Sequence, residues 1–204
     1  MRAVLTLLVL VSVGSIAHAD CAAEARTALQ ARLTALPLRE ELDVEGDGGH
    51  SKTVLELESF QRFSLKLAEA GHDAGLDLAE VFIDGKAWTL QNGQWQPLAA
   101  AVATAADIIA AERALADQYT TGAVVTCLGP IKTDGRALTG YDLTMDADPS
   151  TDAPYATMRL LVDPASGLPQ TFVTTLPGDT GTTTSTWTLV YDRSINVTAP
   201  VSTH

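Results

Sequence analysis

The sequence is short of positive charge, aromatic residues and cysteine. Lys and Arg number 13 against 25 Asp and Glu in 204 residues, a formal net charge of -12. A phosphate-backbone partner needs a basic footprint, so nucleic-acid binding is excluded as the main activity. The same deficit opposes electrostatic docking on anionic lipid headgroups. Two cysteines are too few for a disulfide-scaffold miniprotein or a four-thiolate zinc site. Aromatics make up 5% of residues, so a core must come mostly from Leu, Val, Ile and Ala. Catalytic signatures are missing as well: there is no Gly-x-Ser-x-Gly elbow, phosphate-binding Gly-rich loop, His-Glu-x-x-His or Cys-x-x-Cys. What is present, 46% hydrophobic and 19% charged residues at the length of one domain, is a globular composition.

Met1 to Ala19 has the form of a secretory signal peptide, with Arg2, an apolar run from Leu5 to Val13, and Ala17-His18-Ala19 as a small-x-small processing site. The apolar run is too short to span a bilayer, and Ala99 to Ala111 is interrupted by Thr104 and Asp107. The expected organisation is therefore a signal peptide over 1–19 and a single domain over 20–204, exported to the periplasm or secreted. In an oxidising compartment the favoured reading of the two cysteines is a Cys21–Cys127 disulfide, worth about 4 to 5 kcal/mol in the chain-entropy model. Acylation of Cys21 as a lipid anchor and a pair of buried free thiols are the alternatives; Asp20 stands where a lipoprotein signal wants Gly or Ala.

Ala25, Leu29, Leu33 and Leu36 recur at helical spacing, which predicts a helix from Ala22 to Leu36 stopped by Pro37. The period then drops to two. Leu38, Leu42 and Val44 alternate with Arg39, Glu41, Asp43 and Glu45, and similar alternation covers Thr53 to Leu57 and Phe63 to Leu67. Asp84-Gly85, Asn92-Gly93 and Asp134-Gly135 are hairpin dipeptides. A second helix is expected from about Ala99 to Tyr119, followed by strands at 123–128, 136–145, 155–162, 168–176 and 182–191. The fold class that results is α+β: a strongly curved antiparallel sheet of about ten strands, an incomplete β-barrel, wrapped around two helices.

Such a sheet suits an apolar cavity. Leu55, Leu57, Phe63, Leu65, Leu67, Val81 and Ile83 are the candidate ligand-lining residues, with structural core as the competing role. No catalytic residue, cofactor or metal is assigned. Asp43-Val44-Glu45-Gly46-Asp47-Gly48 opens like an EF-hand loop but has Val54 where the bidentate Glu belongs, and its bland reading is a soluble hairpin end. Asp142, Asp146, Asp148 and Asp152 form a second acidic cluster read the same way. His50 and His72 are expected in solvated turns.

Three stretches resemble one known family. Val81-Phe82-Ile83-Asp84-Gly85-Lys86-Ala87-Trp88 is similar to a hairpin before a central helix, Leu160 to Pro169 to an "Asp-Pro-x-x-Gly-Leu-Pro" turn, and Tyr191 to Pro200 to a final strand with an extended tail. The signal peptide, first helix, hairpins and mid-chain helix follow the same order, and together they resemble a divergent member of the outer-membrane lipoprotein carrier (LolA/LolB-like) superfamily. The resemblance implies a half-closed barrel that shelters an acyl chain, a lipid or a lipoprotein. It implies a periplasmic or cell-surface binder, in some members a transport carrier or sensor of lipoproteins, partnered by a hydrophobic molecule; the missing catalytic signatures and the acidic charge argue separately against an enzyme and a nucleic-acid partner. The chain departs from the dedicated carriers in being acidic and aromatic-poor and in its cysteine pair. The alternative reading is an envelope interaction or sensor module with a filled core.

Overall fold

The structure is a computed structural model that describes residues 17–46, 49–70, 78–98, 110, 113–114, 116–117, 121–145, 156–178 and 181–200. Helix α1 spans Ala17–Ala31. It forms because Cys21, Ala25, Ala28 and Leu29 fall on one stripe, and all four are buried. It starts earlier than the apolar spacing predicts, so the expected processing point after Ala19 falls in its first turn. It also stops sooner. Beyond Ala31 the chain tightens through Leu33 N–H to Gln30 and Thr34 N–H to Ala31, both 3.1 Å, while the Thr34 hydroxyl donates to the Ala31 carbonyl at 3.0 Å. These tighter turns still bury Leu33, as the helical spacing requires.

Among the described residues eleven strands follow: β1 Leu38–Gly46, β2 Gly49–Ser59, β3 Arg62–Ala70, β4 Leu78–Ile83, β5 Lys86–Gln91, β6 Gln94–Leu98, β7 Ala123–Thr133, β8 Arg136–Met145, β9 Ala156–Val162, β10 Pro169–Pro177 and β11 Thr182–Tyr191. The hairpin dipeptides act as their chemistry dictates. Asp84, Asn92 and Asp134 take φ of 49°, 51° and 49°, each followed by a Gly also at positive φ, the twist a two-residue turn needs.

All eleven strands belong to one sheet of order β6-β5-β4-β3-β2-β1-β11-β10-β9-β8-β7. It is two meanders, β1 to β6 and β7 to β11, joined by an antiparallel β1–β11 seam that runs from Leu38 opposite Tyr191 to Glu45 opposite Thr184. The sheet is curved and not closed, with β6 and β7 at its margins, and α1 packs against its inner face. The second helix expected from Ala99 to Tyr119 lies mostly outside the described residues; Ala110, Arg113, Ala114, Ala116 and Asp117 are helical, and Ala116 joins the core. Among the described residues no helix is long and apolar enough to cross a membrane.

Candidate functional site: the inner face of the sheet

Residues paired across neighbouring strands share a face, so the ladder register sorts every side chain. One inner row crosses nine strands: Leu78, Leu67, Thr53, Leu42, Trp187, Phe172, Leu160, Tyr141 and Cys127. Its burial is graded. Leu78 is 39% exposed, Leu67, Thr53, Leu42 and Trp187 are half-buried, and Leu160 is 0% exposed. The buried end lies under α1, where Leu143, Met158 and Leu160 meet Ala25, Ala28 and Leu29. Phe172 and Trp187 stack midway with ring centroids 4.6 Å apart.

The Cys21–Cys127 disulfide pins α1 to β7 at that closed end, with Cα atoms 5.5 Å apart. Beside it the Tyr141 hydroxyl donates to Glu24 at 2.9 Å. Burial, and then this bond, push the Tyr141 phenol up to about 12.

Of the seven candidate lining residues, five share the inner face. Leu55 lies opposite Leu65, and Leu57 opposite Phe63, with Leu67 one pair further along. Leu57 is buried and the other four are half-buried. Phe63 also stacks on Phe82 of β4 at 4.9 Å. Val81 and Ile83 are not brought to this group. They pair with Ser64 and Arg62, which places them on the outer face. There they pack with Ile195 and Val197 of the extended tail after β11, flanked by Trp88 and Trp95. The physical reason is the unbroken run Val81-Phe82-Ile83: with apolar residues in both phases, the cross-strand partner decides which side faces in, and Phe82 goes to Phe63.

A cavity of about 60 Å³ opens at the seam between the end of α1 and strands β1 and β2, lined by Leu33, Leu36, Leu38, Leu55, Leu57 and Phe60 with Arg32 and Glu40. That is roughly the space of two waters at about 30 Å³ each. Alternation along β1 places Glu40 inward between Leu38 and Leu42, where it pairs with Arg32 at 3.1 Å. Their side chains are 13% and 14% exposed. The Arg32 guanidinium also sits over the Phe172 ring, 5.9 Å from its centroid. The pair was legible only in part: Glu40 falls in the inward phase of an otherwise alternating strand, but nothing local names Arg32 as its partner. Removing either member of a charged pair held in such surroundings would leave the other buried without its counter-charge. Tyr191, whose phenol burial pushes upward, closes the row beside Leu38 and donates to the Pro169 carbonyl at 3.0 Å.

The polar candidates fare differently. Asp142 sits in β8 and is held by Arg159 through two bonds of 2.8 Å, while Asp146, Asp148, Asp152 and His72 lie outside the described residues. His50 is not in a turn. It stands in β2 with Nε2 2.6 Å from Asp43 Oδ1.

No protein-family model matches the chain, and no curated protein matches it. Solved structures do match in fold. The chain is similar to LprF from Mycobacterium bovis at TM-score 0.53 and 16% identity, over 88% of this chain and 95% of that one. It is similar to the lipoprotein LppX from Mycobacterium tuberculosis at TM-score 0.56 and 12% identity, over 88% of this chain and 99% of that one. A LolA superfamily protein from Nitrosomonas europaea matches more loosely, at TM-score 0.32 and 10% identity over 86% and 92% of the two chains. The chain has a divergent LppX-like fold.

Proposed function

We propose that the chain is an exported binding protein that shelters a hydrophobic ligand, an acyl chain or lipid, against the inner face of its open sheet, and that it is not an enzyme. One observation carries this reading: Leu55, Phe63, Leu65 and Leu67 form a half-buried apolar surface that meets, at Leu55, the mostly leucine-lined cavity at the end of α1. A cavity of about 60 Å³ is far below the roughly 300 Å³ at which ligand pockets begin, so an acyl chain enters by parting the tight turns after Ala31 from β1 and β2. Removing each methylene from water is worth about 0.8 kcal/mol, so one tail supplies the affinity without any catalytic group. Export is supported by the signal-like start and by the Cys21–Cys127 disulfide, since such bonds persist in oxidising compartments.

The test is solvent extraction of the purified chain with mass spectrometry of the extract, alongside uptake of a hydrophobic dye. The expected result is co-purified lipid, or dye uptake that Leu65→Glu abolishes while the unfolding midpoint stays close to that of the parent. An empty extract together with no dye response overturns the reading.

The small size of the cavity favours a second reading, an envelope interaction or sensor module with a filled core. A chain that takes up no lipid but retains a tightly packed, cooperative fold fits that reading instead.

A further inference from the structure

The geometry points to a binding site for one divalent transition-metal ion of the zinc class, formed by Asp43, Glu45 and His50 on the outer face of the sheet. β1 and β2 run antiparallel with Glu45 opposite His50 and Asp43 opposite Lys52. The three side chains therefore project to the same side, and one carboxylate oxygen from each acid and a ring nitrogen of His50 all lie within 4.8 Å of one another. Zinc bonds of about 2.0–2.2 Å place neighbouring donors of a tetrahedral ion about 3.3 Å apart. The His50–Asp43 contact, 2.6 Å, is tighter than that, and the widest spacing in the group is at most 4.8 Å. Half-exposed side chains cover both differences by small rotamer changes, with no movement of the ladder.

The donor set selects the ion. One imidazole nitrogen with two carboxylates is a mixed nitrogen–oxygen set, whereas calcium and magnesium take oxygen alone. The ordinary explanation for this surface is cross-strand ion pairing, and it accounts for only part of it. Lys52 takes Glu41 at 2.9 Å and His50 takes Asp43. Glu45 has no partner among the described residues although it stands opposite His50. Two of the three also border a surface cleft of about 360 Å³, where Asp43 and Glu45 line it together with Glu41, Lys52 and the hydroxyl-bearing Thr184, Thr186 and Thr188 of β11. Three protein ligands would leave an open coordination position for a water entering from the cleft. Thr186 lies opposite Asp43 and Thr184 opposite Glu45, so an ion here sits on the seam that joins the two meanders.

Calorimetric titration of the full chain with zinc, repeated with calcium, tests the site, and cobalt(II) absorption reports the coordination. The expected result is one zinc per chain, a tetrahedral cobalt spectrum, and at least tenfold weaker zinc binding in both His50→Ala and Asp43→Asn. Asp142→Asn, a change far along the sheet, retains parental affinity. Thermal melts confirm that the exposed substitutions leave the fold intact. No zinc binding by the parent chain, zinc binding unchanged in both variants, or calcium binding as tight as zinc each overturns the proposal. None of these outcomes bears on whether the opposite face takes a lipid.

Discussion

The two meanders bury their inner faces to different degrees. In β7 to β11 the inner face is closed by α1, with Leu143 and Leu160 at 0% exposure. In β2 to β4 the inner face is mixed, with Leu57 buried but Leu55, Phe63, Leu65 and Leu67 only half-buried, and a separate buried cluster forms on the outer face, where Ile195 and Val197 cover Val81 and Ile83. Both meanders are built from the same alternating strands. What differs is the piece of chain laid across them, a helix in one case and an extended tail in the other. Alternation therefore announces a sheet with a dry face but leaves the identity of that face to whatever covers it.

Removing the disulfide should disturb the closed half most. Cys21 and Cys127 are 106 residues apart, and opening a loop of that size in the unfolded chain costs about 4 to 5 kcal/mol in the chain-entropy model. Cys21→Ser with Cys127→Ser is expected to lower the urea midpoint by a corresponding amount, and a shift under about 1 kcal/mol would mean that the pin matters little.

Next in size is a matched pair of truncations. Leu160→Ala empties a fully buried position and is expected to cost about 3 to 4 kcal/mol, whereas Leu65→Ala on the half-buried side should cost about 1 kcal/mol. Equal losses by equilibrium denaturation would erase the contrast between the two meanders.

The tail gives a smaller, local effect. Val197 donates its N–H to Glu58 at 2.9 Å, and Arg62 donates to both the Val197 carbonyl and Glu58. The Val197 N–H first, and then Arg62, hold the Glu58 carboxyl below its ordinary 4.5. A lowered carboxyl contributes its stabilisation above the ordinary value and loses it as pH falls through the lowered one, so the tail should loosen as pH falls below the ordinary 4.5 and through that lowered value. Ile195→Ala should loosen it at neutral pH. Both changes are expected to red-shift tryptophan emission from Trp88 and Trp95 while the β8–β9 amides stay protected from hydrogen exchange. Simultaneous exchange of both regions would show that the tail and the closed half unfold as one unit.

The smallest effect is spectroscopic. Tyr141, raised to about 12, should remain largely protonated at pH 11, and its small contribution to stability should fade from about pH 10, where the phenol of the unfolded chain ionises, and be gone above about 12. The difference absorbance between the parent chain and Tyr141→Phe reads this directly. An ordinary phenol titration near pH 10 would remove Tyr141 from the buried wall beside α1.

Much of the architecture was legible. The Asp-Gly and Asn-Gly dipeptides located three hairpins because few other residues tolerate the positive φ they adopt, and the period-two runs placed the strands between them. The disulfide was legible from compartment logic. The site was less so, for two reasons. Val81-Phe82-Ile83 is apolar in both phases, so no local pattern separates the inward Phe82 from its outward neighbours. The Asp43, Glu45 and His50 group depends on which residues the β1–β2 ladder sets opposite each other, whereas an EF-hand pattern looks for ligands along a single loop. Helix ends were missed because apolar spacing continues through Leu33 even after the backbone has left regular α-helical bonding.

Every hairpin in the molecule is a local affair between chain neighbours, but the β1–β11 seam is not. A nascent chain emerging from its N-terminus can zip each meander as it appears, yet β1 must wait, its hydrogen-bonding edge bare, until almost the last strand has arrived. A product ending before Thr182 would carry two unjoined fans of strands and an extra sticky margin. The order of synthesis thus makes the final quarter of the chain the quality checkpoint for the whole, and premature termination should be read out as clumping rather than as a shortened working protein.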